Sequence, residues 1–146
     1  MNKLFTIGFT KKSLEQFLEL LKKNKISVVI DIRLNNTSQL AGFAKADDLR
    51  YILEEFSGIK YQHITEFAPS KKIFDDYKKN KNWKKYEKAY KNLILQRKLK
   101  SKLLTLASIH KNICFLCSET ESEHCHRRLL AEYLKGLKPS IKIIHL

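Results

Sequence analysis

The chain has 146 residues, 43% hydrophobic and 30% charged, with four Gly and two Pro, which suits one packed core and excludes a disordered or fibrous protein. Its formal charge is +14, and 24 of its 29 basic residues are Lys, a field that draws anions such as nucleotides, nucleic acid or acidic surfaces. No apolar run approaches the roughly 18 residues of a membrane helix, the N-terminus lacks a signal-peptide pattern, and three cysteines crowded into 114–125 do not suit a secreted disulfide framework, so a single domain, 1–146, in the cytoplasm and off the membrane is expected.

In chain order, residues 3–8 read as a short apolar strand closed by a glycine. Ser13 and Gln16 fit a capping box, and Leu14, Phe17, Leu18 and Leu21 recur at helical spacing, so 13–24 reads as an amphipathic helix. Residues 27–32 (SVVIDI) run apolar with almost no alternation, the pattern of a strand covered on both faces. The stretch 34–46 is polar and loop-like. Asp47 or Asp48 would then cap a helix carrying Leu49, Ile52, Leu53 and Phe56 on one face, stopped by Gly58. A third strand is expected over 59–64. Residues 71–102 hold thirteen Lys or Arg against Asp75, Asp76 and Glu87, and read as a short helix near 73–79 followed by a long one over 83–109. A fourth strand at 112–117, a helix at 125–135 ended by Gly136, and a last strand at 141–146 complete the chain.

Apolar strands alternating with helices predict an α/β three-layer sandwich, Rossmann-like, with a mostly parallel sheet of about five strands. Sites in such sheets lie beyond the carboxyl ends of the strands. That edge collects Thr6, Gly8 and Thr10 from the first strand, Asp31 and Arg33 from the second and His63 from the third. The fourth strand and the helix after it add Cys117, Glu119, Cys125, His126 and Arg127.

Cys114-x-x-Cys117 with Cys125-His126 counts to four soft ligands, a zinc pattern. Side chains three apart on a strand point to opposite faces, however. Cys114 is therefore read as a buried apolar residue, and no metal or cofactor is assigned. Cys125 opens a helix, where free N–H groups and the helix dipole favour a thiolate. His126 could act as its base or as a general acid, and Arg127 or Arg128 could hold an anion. Two competing structural readings are that Asp31 pairs with Arg33, and that Glu119 pairs with Arg127 or Arg33.

The segments TIGFT, DIR, YQHI and above all CSETESEHCHRRLLAEYL resemble the domain-of-unknown-function family 488, in the same order over nearly the whole chain. The resemblance implies a three-layer α/β fold with a parallel sheet and no established activity. Its motif positions fall on Thr6, Ile7, Gly8, Asp31, Arg33, His63, Cys117, Glu119, Cys125, His126 and Arg127. Two loops depart from the pattern: LNNTSQLAGFAK follows DIR where relatives are richer in Arg and Pro, and EFAPS follows YQHI where a Leu-Gly pair is usual.

These readings point first to an enzyme acting on a phosphorylated or nucleotide-like anionic small molecule by hydrolysis or group transfer. In it Asp31, Glu119 and His126 handle protons, Cys117 or Cys125 is nucleophile or pocket lining, and Thr6, Gly8, Thr10, Arg33, His63 and Arg127 bind substrate. The alternative is a non-enzymatic nucleic-acid binder using Lys78, Lys79, Trp83, Lys84 and Lys85 of the basic segment, with Phe74, Tyr77, Tyr86 and Tyr90 as further stacking partners. Lysine-rich drift on solvated helix faces would produce the same charge. A thiol redox or metal-handling module is the third reading, and it requires the sulfurs of Cys117 and Cys125 to approach one another.

Overall fold

A computed structural model describes residues 2–146. Five strands, β1 (Lys3–Gly8), β2 (Val28–Asp31), β3 (Lys60–His63), β4 (Asn112–Cys117) and β5 (Lys142–His145), form one sheet in the order β3-β2-β4-β1-β5. Every neighbouring pair is parallel, with Gly8 beside Cys117, Asp31 beside Leu116 and beside His63. The α/β sandwich expected from the alternation of elements is thus what forms. The three inner strands are buried almost throughout, whereas β3 and β5 at the edges carry exposed ends; this is why only the inner strands read as unbroken apolar runs.

Residues of opposite parity feed two cores. Phe5, Ile7, Val29, Cys114 and Leu116 pack under α1 (Leu14–Lys23) and α2 (Ala46–Tyr51) through Phe17, Leu21, Leu49 and Leu53. Leu4, Val28, Ile30, Ile113 and Phe115 pack under α4 (Trp83–Gln96), α5 (Lys100–Ile109) and α6 (His126–Leu137), and α3 (Lys71–Asn80) joins through partly buried Ile73 and Tyr77. The helices leaving β1 and β2 therefore cover one face, and those leaving β3 and β4 the other. A crevice opens at β4, where neighbouring connections diverge.

The capping box of α1 is present, Ser13 Oγ accepting from Gln16 N and Gln16 returning the bond. Five details differ from the sequence reading. The helix after residue 45 has no side-chain cap; Lys45 occupies that position, and Asp47 and Asp48 lie in the first turn, where their charge still suits the dipole. It continues as a wider π-type turn over Ile52–Phe56, which shifts the phase of the helix and leaves Phe56 exposed while Leu49 and Leu53 are buried. The stretch 34–46 contains a 3₁₀ segment, Gln39–Ala44, kinked at Gly42. The long basic helix is two helices, interrupted at Lys98, whose φ of 53° ends α4. Gly136 lies inside α6, which runs to Leu137. Among the described residues no helix is long and apolar enough to cross a membrane.

Candidate functional site

Cys117 is the last residue of β4 and points to the α3–α6 side, three residues from Cys114, which points to the other side into the core of Phe17 and Leu21. Cys125 is the residue before α6, and its side chain makes no capping bond; His126 opens the helix. Strand end and helix start converge, so that the sulfurs of Cys117 and Cys125 and a ring nitrogen of His126 all lie within 4.8 Å of one another. These three residues, all buried, form the floor of a cavity of about 150 Å³. Phe74, Tyr77 and Tyr86 from α3 and α4, Arg33 and Leu34 after β2, and His124 complete much of its wall.

The orientation of His126 determines what it can do. Its Nε2 sits 2.7 Å from the carbonyl oxygen of Ile32, and a carbonyl only accepts, so Nε2 carries the proton. Nδ1 is then free to face the sulfur of Cys117 at 3.7 Å. The buried ring of Tyr90 meets the imidazole edge to face, with centroids 5.5 Å apart, and the Tyr90 hydroxyl donates to Phe67 O at 2.6 Å. Neighbouring donors hold the Cys117 thiol below its ordinary range: the thiol of Cys125 first, then, against the opposing effect of burial, the N–H groups of Ser118 and Glu119 and the charge of Arg127. Cys125 is pushed the other way, by its proton sharing with Cys117 and by burial. Cys117 is thus held low and Cys125 high, although the sequence favours Cys125 at the helix start.

Asp31 and Arg33 form a second cluster. Asp31 has the parity of the α1–α2 face and does not line the cavity. Its carboxylate accepts from Arg33 Nε at 2.8 Å, Arg33 Nη2 at 2.7 Å, Asn36 Nδ2 at 3.2 Å and Tyr61 Oη at 2.5 Å. Burial alone would raise its pKa, but Arg33 and Tyr61 outweigh burial and keep the carboxyl below its ordinary value. Burial, followed by the charge of Asp31, raises the Tyr61 hydroxyl. With every neighbour donating, Asp31 serves as the anchor of Arg33, a residue of the cavity lining whose guanidinium lies 5.3 Å from the centre of the Phe9 ring. His63 is exposed, and its Nε2 lies 2.9 Å from Arg33 O.

Arg127 is almost fully buried and faces away from the cavity. It donates to the carbonyls of Glu119 at 2.5 Å and Thr120 at 3.0 Å and to Cys125 Sγ at 3.6 Å. The partner is the Glu119 backbone, and the Glu119 side chain is exposed at the cavity rim, so the expected carboxylate–guanidinium pair is absent among the described contacts. Gly8 lies against this loop so closely that a Cβ there would fall 1.6 Å from Glu119 O. Lys12 Nζ donates to Gly8 O at 2.8 Å. Thr6 Oγ1 bonds across the sheet to His145 Nδ1 at 2.6 Å, and Thr10 is exposed with its carbonyl accepting from Thr120. Thr6, Gly8, Thr10 and Arg127 thus shape and fasten the site from behind.

In the basic segment Lys78, Lys79, Lys84 and Lys85 are exposed, with the Lys78 ammonium 4.5 Å from the centre of the Phe74 ring. Trp83 stacks on Tyr86 and on His124, and Tyr86 on Tyr90. These aromatic rings are engaged with one another and with the cavity, so few faces remain for splayed bases. Lys71 and Lys72 pair with Asp75 and Asp76 one turn on.

Several members of the site are not among the residues that the sequence singles out. Tyr61 reaches Asp31 only because β3 lies beside β2, and Asn36 reaches it from the loop that follows β2. Tyr86 and Tyr77 read in sequence as stacking residues and are cavity walls. Residues 13–134 match the family described as "Domain of unknown function DUF488". No curated protein and no solved structure matches the chain.

Proposed function

Because the chain belongs to the DUF488 family, whose description assigns no activity, we propose its function from the site alone: an enzyme of hydrolysis or group transfer with Cys117 as nucleophile. The observation that carries this reading is the contact of Cys117 Sγ with His126 Nδ1, the imidazole being locked by its Nε2–H on Ile32 O. A nucleophile, a base and a group that orients the base are the parts of thiol catalysis. Cys117 gives its proton to Nδ1, and its sulfur bonds to the electrophilic centre of the substrate. The bond to the leaving group breaks as His126 returns the proton to it, and water or a second acceptor then releases the product from sulfur.

The substrate we propose is a phosphorylated or nucleotide-like small molecule. Phe74, Tyr77 and Tyr86 offer flat apolar walls for a ring, and the positive end of the α6 dipole, at Cys125 and His126 in the cavity lining, favours an anionic group there. Arg127 is left out of the clamp, since its Nη1 and Nη2 donate to carbonyls and it does not line the cavity.

The test is the alkylation rate of each cysteine against pH on metal-free, reduced protein. We expect Cys117 to react with a midpoint below the free-thiol value of about 8.5, and His126→Gln to slow it and shift that midpoint. A Cys117 that reacts no faster than Cys114 at every pH would remove the thiol from the mechanism.

A further inference from the structure

Cys117, Cys125 and His126 have a geometry that nucleophilic catalysis alone does not require. Their donor atoms lie within 4.8 Å of one another, and the Cys117 Sγ to His126 Nδ1 separation is 3.7 Å. Tetrahedral zinc, with bonds of about 2.3 Å to sulfur and about 2.0 Å to nitrogen, holds such atoms about 3.5–3.8 Å apart. The Cys117–His126 separation already falls in that range, and the others reach it by contraction from within 4.8 Å.

Two further contacts point the same way. A ligating imidazole is held by its second N–H on a carbonyl or carboxylate, which fixes the tautomer and aims the other nitrogen at the metal. His126 is held so, Nε2–H on Ile32 O at 2.7 Å. Arg127 directs an N–H at Cys125 Sγ from 3.6 Å while two carbonyls fix its guanidinium. That contact fixes the Cys125 sulfur beside Cys117 and His126, whose donor atoms lie within 4.8 Å of it.

We infer that Cys117 Sγ, Cys125 Sγ and His126 Nδ1 bind one zinc ion, leaving its fourth coordination position open to the cavity. Two thiolates balance the dication, so the buried site is neutral when filled, and filling it releases whatever thiol protons remain. Cys114, on the opposite face of β4, takes no part. The inference goes beyond the nucleophilic reading and makes it conditional: with zinc bound, Cys117 is a ligand, and only the metal-free chain presents a free thiolate. Zinc occupancy therefore switches the thiol chemistry off.

The experiment uses the full chain, stripped with chelator under a non-thiol reductant and titrated with zinc and, separately, with cobalt(II). We expect one equivalent of cobalt to give the intense visible bands of a tetrahedral thiolate complex. We expect zinc to slow alkylation of Cys117 and Cys125 more than about tenfold and to leave Cys114 unchanged. Cys125→Ser and His126→Gln should each lose the cobalt spectrum, and Cys114→Ala should keep it. The alkylation readout needs no variant, so it stands even where a substitution unfolds the chain. No tetrahedral cobalt bands together with no protection by zinc would overturn the inference and leave a low Cys117 midpoint untouched. One equivalent of bound zinc in a chain whose metal-free Cys117 titrates as an ordinary thiol would support the metal site and overturn the nucleophile.

Discussion

Asp31 has the sequence context of a catalytic acid and the surroundings of a structural anchor. Five donors from Arg33, Asn36 and Tyr61 surround it in the folded chain, and none of them is free to exchange a proton with a substrate. Removing its charge while leaving Arg33 buried should cost about 3–5 kcal/mol; chemical denaturation of Asp31→Asn at pH 7 would measure it, and a loss below 1 kcal/mol would mean the pair is no stronger than a surface bridge. The pH dependence has a defined sign. Because the folded pKa of Asp31 is depressed, its stabilisation is fully present above the unfolded value of about 3.9 and is lost as pH falls through the folded value. The variant should therefore lose less stability than the parent between pH 4 and pH 2. Cys117 and Cys125 shift chiefly through each other, two thiols that only the fold brings together.

At the scale of elements, the break between α4 and α5 follows from a helix stop without glycine. Lys98 N donates to Leu95 O and Leu99 N to Ile94 O, the paired bonds of a Schellman motif, with Lys98 in the left-handed conformation usually given to Gly. Lys25 ends α1 in the same manner, through Lys25 N to Lys22 O and Ile26 N to Leu21 O. Lys98→Gly should relieve that backbone strain and stabilise the chain by about 0.5–1 kcal/mol, less what the lost side chain contributes; an unchanged or lower melting temperature would place the strain elsewhere. The end of β1 has the opposite tolerance. Gly8→Ala would drive a Cβ into the Glu119 carbonyl, so the loop carrying Glu119 to Cys125 must move. We expect a marked drop in melting temperature and, in whatever folds, Cys117 and Cys125 to be more readily alkylated. A variant with parental stability and thiol rates would show that this close approach is not needed.

At the scale of the whole molecule, charge and site are arranged separately. The net charge of +14 rests mostly on lysines, while the one Lys or Arg in the cavity lining is Arg33, already paired to Asp31. The field therefore acts on approach more than on the bound state. If the proposed nucleotide-like substrate is right, association of a fluorescent nucleotide should slow as salt rises from low concentration to 0.15 M, where the screening length is about 8 Å, and its dissociation rate should change little. A salt effect confined to dissociation would locate the attraction inside the cavity.

The sequence by itself determined the alternation of strands and helices, the parallel sheet, the apolar role of Cys114 and the edge at which reactive side chains gather. Those features are local or periodic: the side-chain period of a strand and a capping box are written in neighbouring residues. Only the tertiary structure decided which of the gathered residues share a site. Parity sends Asp31 to one face and Cys117 to the other, strand order brings Tyr61 to Asp31, and Arg127 turns inward because the loop carbonyls of Glu119 and Thr120 lie within reach. Contacts between residues far apart in the chain depend on how strands are ordered and loops return, and no pattern along a single segment encodes that.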